Sequence, residues 1–155
     1  MASVKESLKV KGRVGIVLKD KDGQIKETRQ IDNLVVAAGL AHIARRLEGT
    51  STELMTHMGI GDNSNGTQPT PQSGDTQLTN QLESRKEVTK SVDGTTVTYN
   101  ATFGENESEG AITEAGIFSQ ATDGVMLCRV GFPVVNKGLA DSMTVSWEVS
   151  LVSSS

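Results

Sequence analysis

The sequence predicts a mainly β protein, an antiparallel β-sandwich of jelly-roll-like form with one packed α-helix. Three observations carry this. Sixteen glycines and abundant Ser and Thr, against one Trp, one Tyr and three Phe, fit many short strands and turns around a modest core. Two pairs, Asp22-Gly23 and Asp93-Gly94, stand between alternating segments as hairpin turns. One stretch, Val36 to Leu47, switches to the period of a helix. A chain of 155 residues is large enough to bury a core without disulfides or metals. The expected organisation is one domain over 1–152, its residues 1–13 forming an N-terminal arm, with a frayed tail at 153–155.

In "LKVKGRVGIVLK", apolar Leu8, Val10, Val14, Ile16 and Leu18 alternate with Lys9, Lys11, Arg13 and Lys19, which makes a half-buried strand. "QIKETRQI" returns after Asp22-Gly23, and its charge suits an edge or an exposed face. Within the helix, Val36, Leu40, Ile43 and Leu47 are spaced four, three and four apart and form the face that would be buried. Asn33 or Asp32 would cap its start and Gly49 its end, with Arg45 and Arg46 on a solvated face. "LMTHMGIG" reads as a short strand leading into the connection "GIGDNSNGTQPTPQSGDTQL", after which Asp75 would cap a brief helical turn with Leu78 and Leu82 on one side.

"ESRKEVTKSV" and "TTVTYNATF" flank the second turn, and Val97, Tyr99, Ala101 and Phe103 alternate. Three further strands, "AITEAGIFS", "GVMLCRVGFPVV" and "SMTVSWEVSLV", close the chain. Pro133 cannot donate to a ladder, so its strand should end there or run along an edge. In the last strand Met143, Val145, Trp147, Val149 and Leu151 share a face, with Trp147 as core anchor.

The net charge of -4 offers no uniform cationic field, so nucleic acid is not an expected partner. No run reaches the roughly 18 to 20 apolar residues of a membrane span, and the start lacks the apolar centre of a secretion signal, so a soluble chain made in a cytoplasm is expected. No cofactor is expected either. In the long connection Gly59, Gly61 and Gly66 miss the spacing of a dinucleotide fingerprint, and no Gly-Lys-Ser or Gly-Lys-Thr closes a phosphate loop. Gly66 and Ser73 break the ligand pattern of a calcium loop, which leaves Asn-Gly and Pro turn chemistry. "GENESEG" reads as a solvated acidic loop.

His42 and His57 are the only histidines, and neither has a second ligand at metal spacing. His42 abuts the apolar stripe as a helix-surface residue, and His57 faces solvent or an interface. Cys128 reads as a small core residue, and no serine lies in Gly-x-Ser-x-Gly. Glu114, beside Gly116 in an apolar strand, is the carboxylate most in need of a partner, and Arg85 or Arg129 would supply it. A general acid would need a second carboxylate across a cleft.

Taken in order, "IDNLVVAAGLAHIARRL", "MGIGDNSNGTQPTPQSGDTQLTNQLESRKEV", "ATFGENESEGAITEAGIFSQATDGVMLCRVGF" and "SMTVSWEVSLV" resemble a pattern found in small virion proteins of tailed bacteriophages. The resemblance spans roughly Ile31 to Leu151 and rests on order and spacing, each motif being short. It implies a structural, non-enzymatic part: a capsid decoration or cement protein, or alternatively a collar or tail-fibre adaptor. Gly59, Gly61, Pro69, Asp75, Leu78, Glu114, Gly116 and Trp147 match the pattern, with roles in the fold. The implied partners are the major capsid protein and neighbouring copies, as a dimer or trimer on the virion surface. Contact residues would come from the basic arm, Lys5, Lys9, Lys11 and Arg13, and from the loop at Asp62, Asn63, Asn65, Gln68 and Gln72. Leu40, Ile43 and Leu47 would hold the helix in place. A glycan-binding virion module is a remoter alternative.

Overall fold

In the computed structural model, which describes residues 7–154, the opening alternation forms β1 (Ser7–Lys19) and the Asp22-Gly23 turn returns the chain as β2 (Ile25–Val35). Val14, Ile16 and Leu18 of β1 are buried, whereas Lys9, Lys11 and Arg13 are exposed on the opposite face, as a period of two requires. β9 (Ser142–Ser154) pairs with β1 over its whole length, from Ser7 opposite Ser154 to Lys19 opposite Ser142. Two expectations are thereby corrected. Residues 7–13 belong to a strand rather than a free arm, because β9 takes up their backbone groups. Ser153 and Ser154 extend the same ladder instead of fraying. Lys5 lies outside the described residues.

The remaining strands are β3 (His57–Gly61), β4 (Lys86–Glu87), β5 (Thr89–Asp93), β6 (Thr96–Phe103), β7 (Gly110–Phe118) and β8 (Met126–Lys137). All nine join one antiparallel sheet in the order β4-β3-β7-β8-β2-β1-β9-β6-β5. Its two edge strands, β4 and β5, are separated in the chain by Val88 alone. Val88 is 7% exposed and its N–H donates to the Thr56 carbonyl at 2.9 Å. The sheet therefore curls until its edges meet through one buried residue, which makes a near-barrel. β2 forms the corner opposite, paired with β1 up to Asn33 and with β8 only through Leu34 and Val35.

Inward side chains from nearly every strand fill the interior, among them Ile16, Met58, Ile60, Phe103, Ile117, Val130, Phe132 and Val145. Trp147 is fully buried between Val14 and Tyr99 on the flanking strands, the anchor that the alternation indicates. Each such side chain stabilises the fold by about 1.5–3 kcal/mol relative to exposure. β7 is buried on both faces from Ile112 onward, because the connection from Asp62 to Arg85 covers its outer side.

Pro133 does not end β8. Opposite it, Ile112 pairs with Val135 and Glu114 with Gly131, so three β8 residues face Thr113 alone. The proline sits in this bulge, where no ladder donor is required, and the strand continues to Lys137.

The helix α1 (Ala37–Glu48) ends at Gly49, whose φ of 95° gives the expected left-handed cap. Its start differs from expectation. Asn33 and Asp32 lie in β2, Val36 occupies the N-cap without a side-chain bond, and the Ala37 N–H donates instead to the Ser73 carbonyl at 2.8 Å. The buried face differs too. Gly39 and His42 are buried and Ile43 is partly buried, whereas Leu40 is 48% and Leu47 81% exposed. Gly39 explains the rotation: a Cβ there would fall 2.2 Å from the Leu127 carbonyl oxygen, so only glycine lets the helix backbone settle this close to β8. Leu40 and Leu47 are corrected from core to surface.

No helical turn follows Asp75. Leu78 joins a small side cluster with Val36, Phe118 and Met126, while Leu82 packs against the main core, so the two leucines serve different sites.

Candidate functional site

The best-built polar constellation is a buried cluster around Glu114 on β7. Its carboxylate is fully buried and accepts from Arg129 Nη2 at 2.5 Å, from the Asn80 N–H at 2.9 Å and from the Thr79 N–H at 3.3 Å. Arg129, the β8 neighbour on the outer face, also donates to Asp75 Oδ2 at 2.7 Å and to Thr79 Oγ1 at 3.0 Å. Burial works against the Arg129 charge, but the Glu114 and Asp75 carboxylates more than offset it and raise its pKa above the ordinary value. The cluster fastens the Asp75–Asn80 segment onto β7 and β8. Both Glu114 oxygens are engaged by the protein itself, so its chemistry is that of a clasp. Gly116, opposite Gly59 on β3 and Arg129 on β8, sits one step along the same outer face.

Of the two arginines considered for Glu114, Arg85 has another task. Its guanidinium lies 3.4 Å from the centroid of the Phe118 ring and donates to the Gln120 and Asp123 carbonyls at 3.0 and 2.7 Å. Asp75, expected as a helix cap, instead accepts from the Gln72 N–H at 2.8 Å as well as from Arg129.

A second cluster, which the sequence reading missed, gathers at the end of the barrel where β8 passes into β9. Lys137 is 2% exposed, and its ammonium donates to the Gly104 carbonyl at 2.8 Å. Nearby, Asp141 Oδ2 accepts from Lys26 Nζ at 2.8 Å and from the Gly138 N–H at 2.8 Å, and Lys86 reaches Glu107 at 2.7 Å. Burial pulls the Lys137 pKa down, and the Asp141 and Glu107 charges oppose it. The available signal was periodicity, since Lys137 shares the inward parity of Val135.

At the opposite end of the barrel, α1 and the segment after it leave an apolar groove of about 300 Å³. Met55, Val97, Tyr99, Leu127, Val149 and Leu151 line it, and Leu47 and Leu54 stand at its lip. His42 is buried beside it rather than solvated, its Nε2 lying 3.0 Å from the Glu53 carbonyl oxygen. His57 is half-buried, with Nδ1 2.8 Å from Thr56 Oγ1. Among the described residues, no three His, Cys, Asp or Glu side chains group as a metal site, and no helix is long and apolar enough to cross a membrane.

The contact residues expected from the sequence fall on two separate parts of the surface. Lys9, Lys11 and Arg13 project from β1, with Arg13 placed between Glu148 of β9 and Asp32 of β2. Asp62, Asn63, Asn65, Gln68 and Gln72 belong to the connection over β7 and β8, anchored where the Pro69 carbonyl packs on Gly131. Asn63 and Asn65 take φ near 57° and 51°, and Asp62 Oδ1 accepts from Asn80 Nδ2 at 2.6 Å, so part of this loop is committed to its own turns. Comparisons with protein-family models, curated proteins and solved structures yield no match.

Proposed function

We propose that this chain is a non-catalytic structural protein of a tailed-phage virion, a capsid decoration or cement protein that binds the assembled head and stabilises joints between capsomers. The resemblance in order and spacing of its segments, from Ile31 to Leu151, suggests the role. The observation that carries it into the geometry is the closed state of the Glu114–Arg129–Asp75 cluster: a fully buried carboxylate and its partners are spent on holding a loop to the sheet. The finer architecture belongs to the same proposal, with the β4–β3–β7–β8 and β2–β1–β9–β6–β5 sections as two layers of a jelly-roll-like sandwich.

Cementing needs area and repetition. A protein that binds the closed shell more tightly than free subunits shifts assembly toward the shell, and contacts among adjacent copies add avidity to a modest single interface. The exposed Lys9, Lys11 and Arg13 would meet an acidic capsid surface, and Gln68 and Gln72 on the outer loop a second contact. The partners are then the major capsid protein and neighbouring copies, at the virion surface.

Quantitative mass spectrometry of purified particles tests the proposal. A copy number on the order of hundreds supports the shell role, while roughly a dozen or fewer would replace it with a collar or tail-fibre adaptor. Absence of the polypeptide from purified particles would overturn both.

A further inference from the structure

We propose that α1 and the barrel end beside it form a two-fold interface with a second copy of this chain. The helix turns most of its apolar surface outward. At 100° per residue, Ala37, Leu40, Ala41, Ala44 and Leu47 occupy one sector of roughly 120°, and all five are exposed. The sector turned to the barrel holds Gly39, His42 and the partly buried Ile43, so only one of the three large apolar side chains of α1 faces inward. A surface helix ordinarily presents the reverse arrangement. Glu48, the last helical residue, is the only charge in the apolar sector.

The apolar surface continues past the helix. Leu8 lies two residues beyond Val10, which pairs with groove-lining Leu151, and Val92 pairs with groove-lining Val97. Leu8, Leu54 and Val92 are 56%, 52% and 71% exposed. A helix of this length offers a ridge only about 18 Å long, short of the roughly 800 Å² per partner of a stable interface. Ridge, groove and these flanking side chains together supply a surface of the required kind.

The face is complementary to itself, which selects a second copy as occupant. It carries a knob, Leu47, and a socket, the adjoining groove of about 300 Å³. A cavity of ~150 Å³ already accommodates benzene, so this socket has room for a leucine side chain. A two-fold operation seats each Leu47 in the other copy's groove, the isologous arrangement of most homodimers. Charge agrees with this. Seating Leu47 in the groove brings Glu48 of the second copy toward Arg46, which lines that groove. Small alanines along the ridge permit close approach of the two helices.

The inference stands apart from the virion reading, because purified chain in solution tests it without particles. Sedimentation velocity across the micromolar range should show a concentration-dependent dimer. Leu47→Glu, at a largely exposed position, should keep the native circular-dichroism spectrum and weaken the dimer by about 100-fold or more, since the symmetry introduces it twice. Leu139→Glu, exposed at the far end between β8 and β9, should leave the dimer intact. Should Leu47→Glu lose the native spectrum, Ala44→Arg repeats the test from the same ridge. A wild-type monomer throughout, or a dimer indifferent to the ridge substitutions, would overturn the proposal. So would a dimer lost equally with Leu139→Glu.

Discussion

At the scale of single residues, the fold depends most on a charge that water does not reach. Glu114 is fully buried and its pairing with Arg129 is direct. Removing one partner of such a pair strands the other, which costs about 3–5 kcal/mol, far more than the net worth of the intact pair. Arg129→Met should therefore destabilise the protein by about 3–5 kcal/mol in urea unfolding. Adding Glu114→Gln should restore at least ~1 kcal/mol of that loss, because the amide oxygen still accepts from the Asn80 N–H, the shorter of the two backbone bonds, and no charge is stranded. A single Arg129→Met variant within roughly 0.5 kcal/mol of wild type would show that the cluster is not a clasp.

At the scale of elements, pH gives access to the β8–β9 connection. The hydrogen bond from Lys26, then the Gly138 N–H, holds the Asp141 carboxyl below the ordinary aspartate range. A carboxyl lowered in the folded state contributes stability above its unfolded pKa and loses it as the pH falls through the lowered value. Wild type should thus lose its advantage over Asp141→Asn between about pH 4 and strong acid. Denaturation midpoints of the two proteins across that range test this, and parallel pH curves would refute it. The same scale shows why some elements were legible in the sequence. β6 and β9 have one wetter and one dry face, so a period of two fixes their orientation. In α1 both the Leu40–Leu47 side and the Gly39–His42 side lack a strong polar signature, and periodicity chose the side with larger side chains. The informative residue was Gly39, poor in a helix interior and needed only for close backbone approach. Glu114 was legible as a buried carboxylate, but choosing Arg129 over Arg85 required the ring of Phe118 to be in place. Asp75 resembled a helix cap because a cap and a loop-closing acceptor are the same residue type in the same local sequence.

At the scale of the whole molecule, the topology joins the two ends of the described chain. β1 and β9 form the longest ladder, with Ser7 opposite Ser154, although nearly the whole sequence lies between them. Closing that loop is an entropic cost that grows with its length and that non-local sheets meet before their contacts form, so folding should be slow. Circular permutation separates this cost from the stability of the final contacts. A short turn from Ser154 to Ser7, with new ends between Ser51 and Thr52 in the exposed stretch after α1, turns the β1–β9 ladder into a hairpin. It also brings β2 and α1 nearer in sequence to β8, and it lengthens no strand pairing of the sheet. The permutant should keep the native circular-dichroism spectrum and a stability within about 2 kcal/mol of the original, while refolding about tenfold faster. Stopped-flow refolding provides the measurement. An unchanged or slower rate would mean that closure of the barrel through Val88, between β4 and β5, limits folding in place of the β1–β9 ladder.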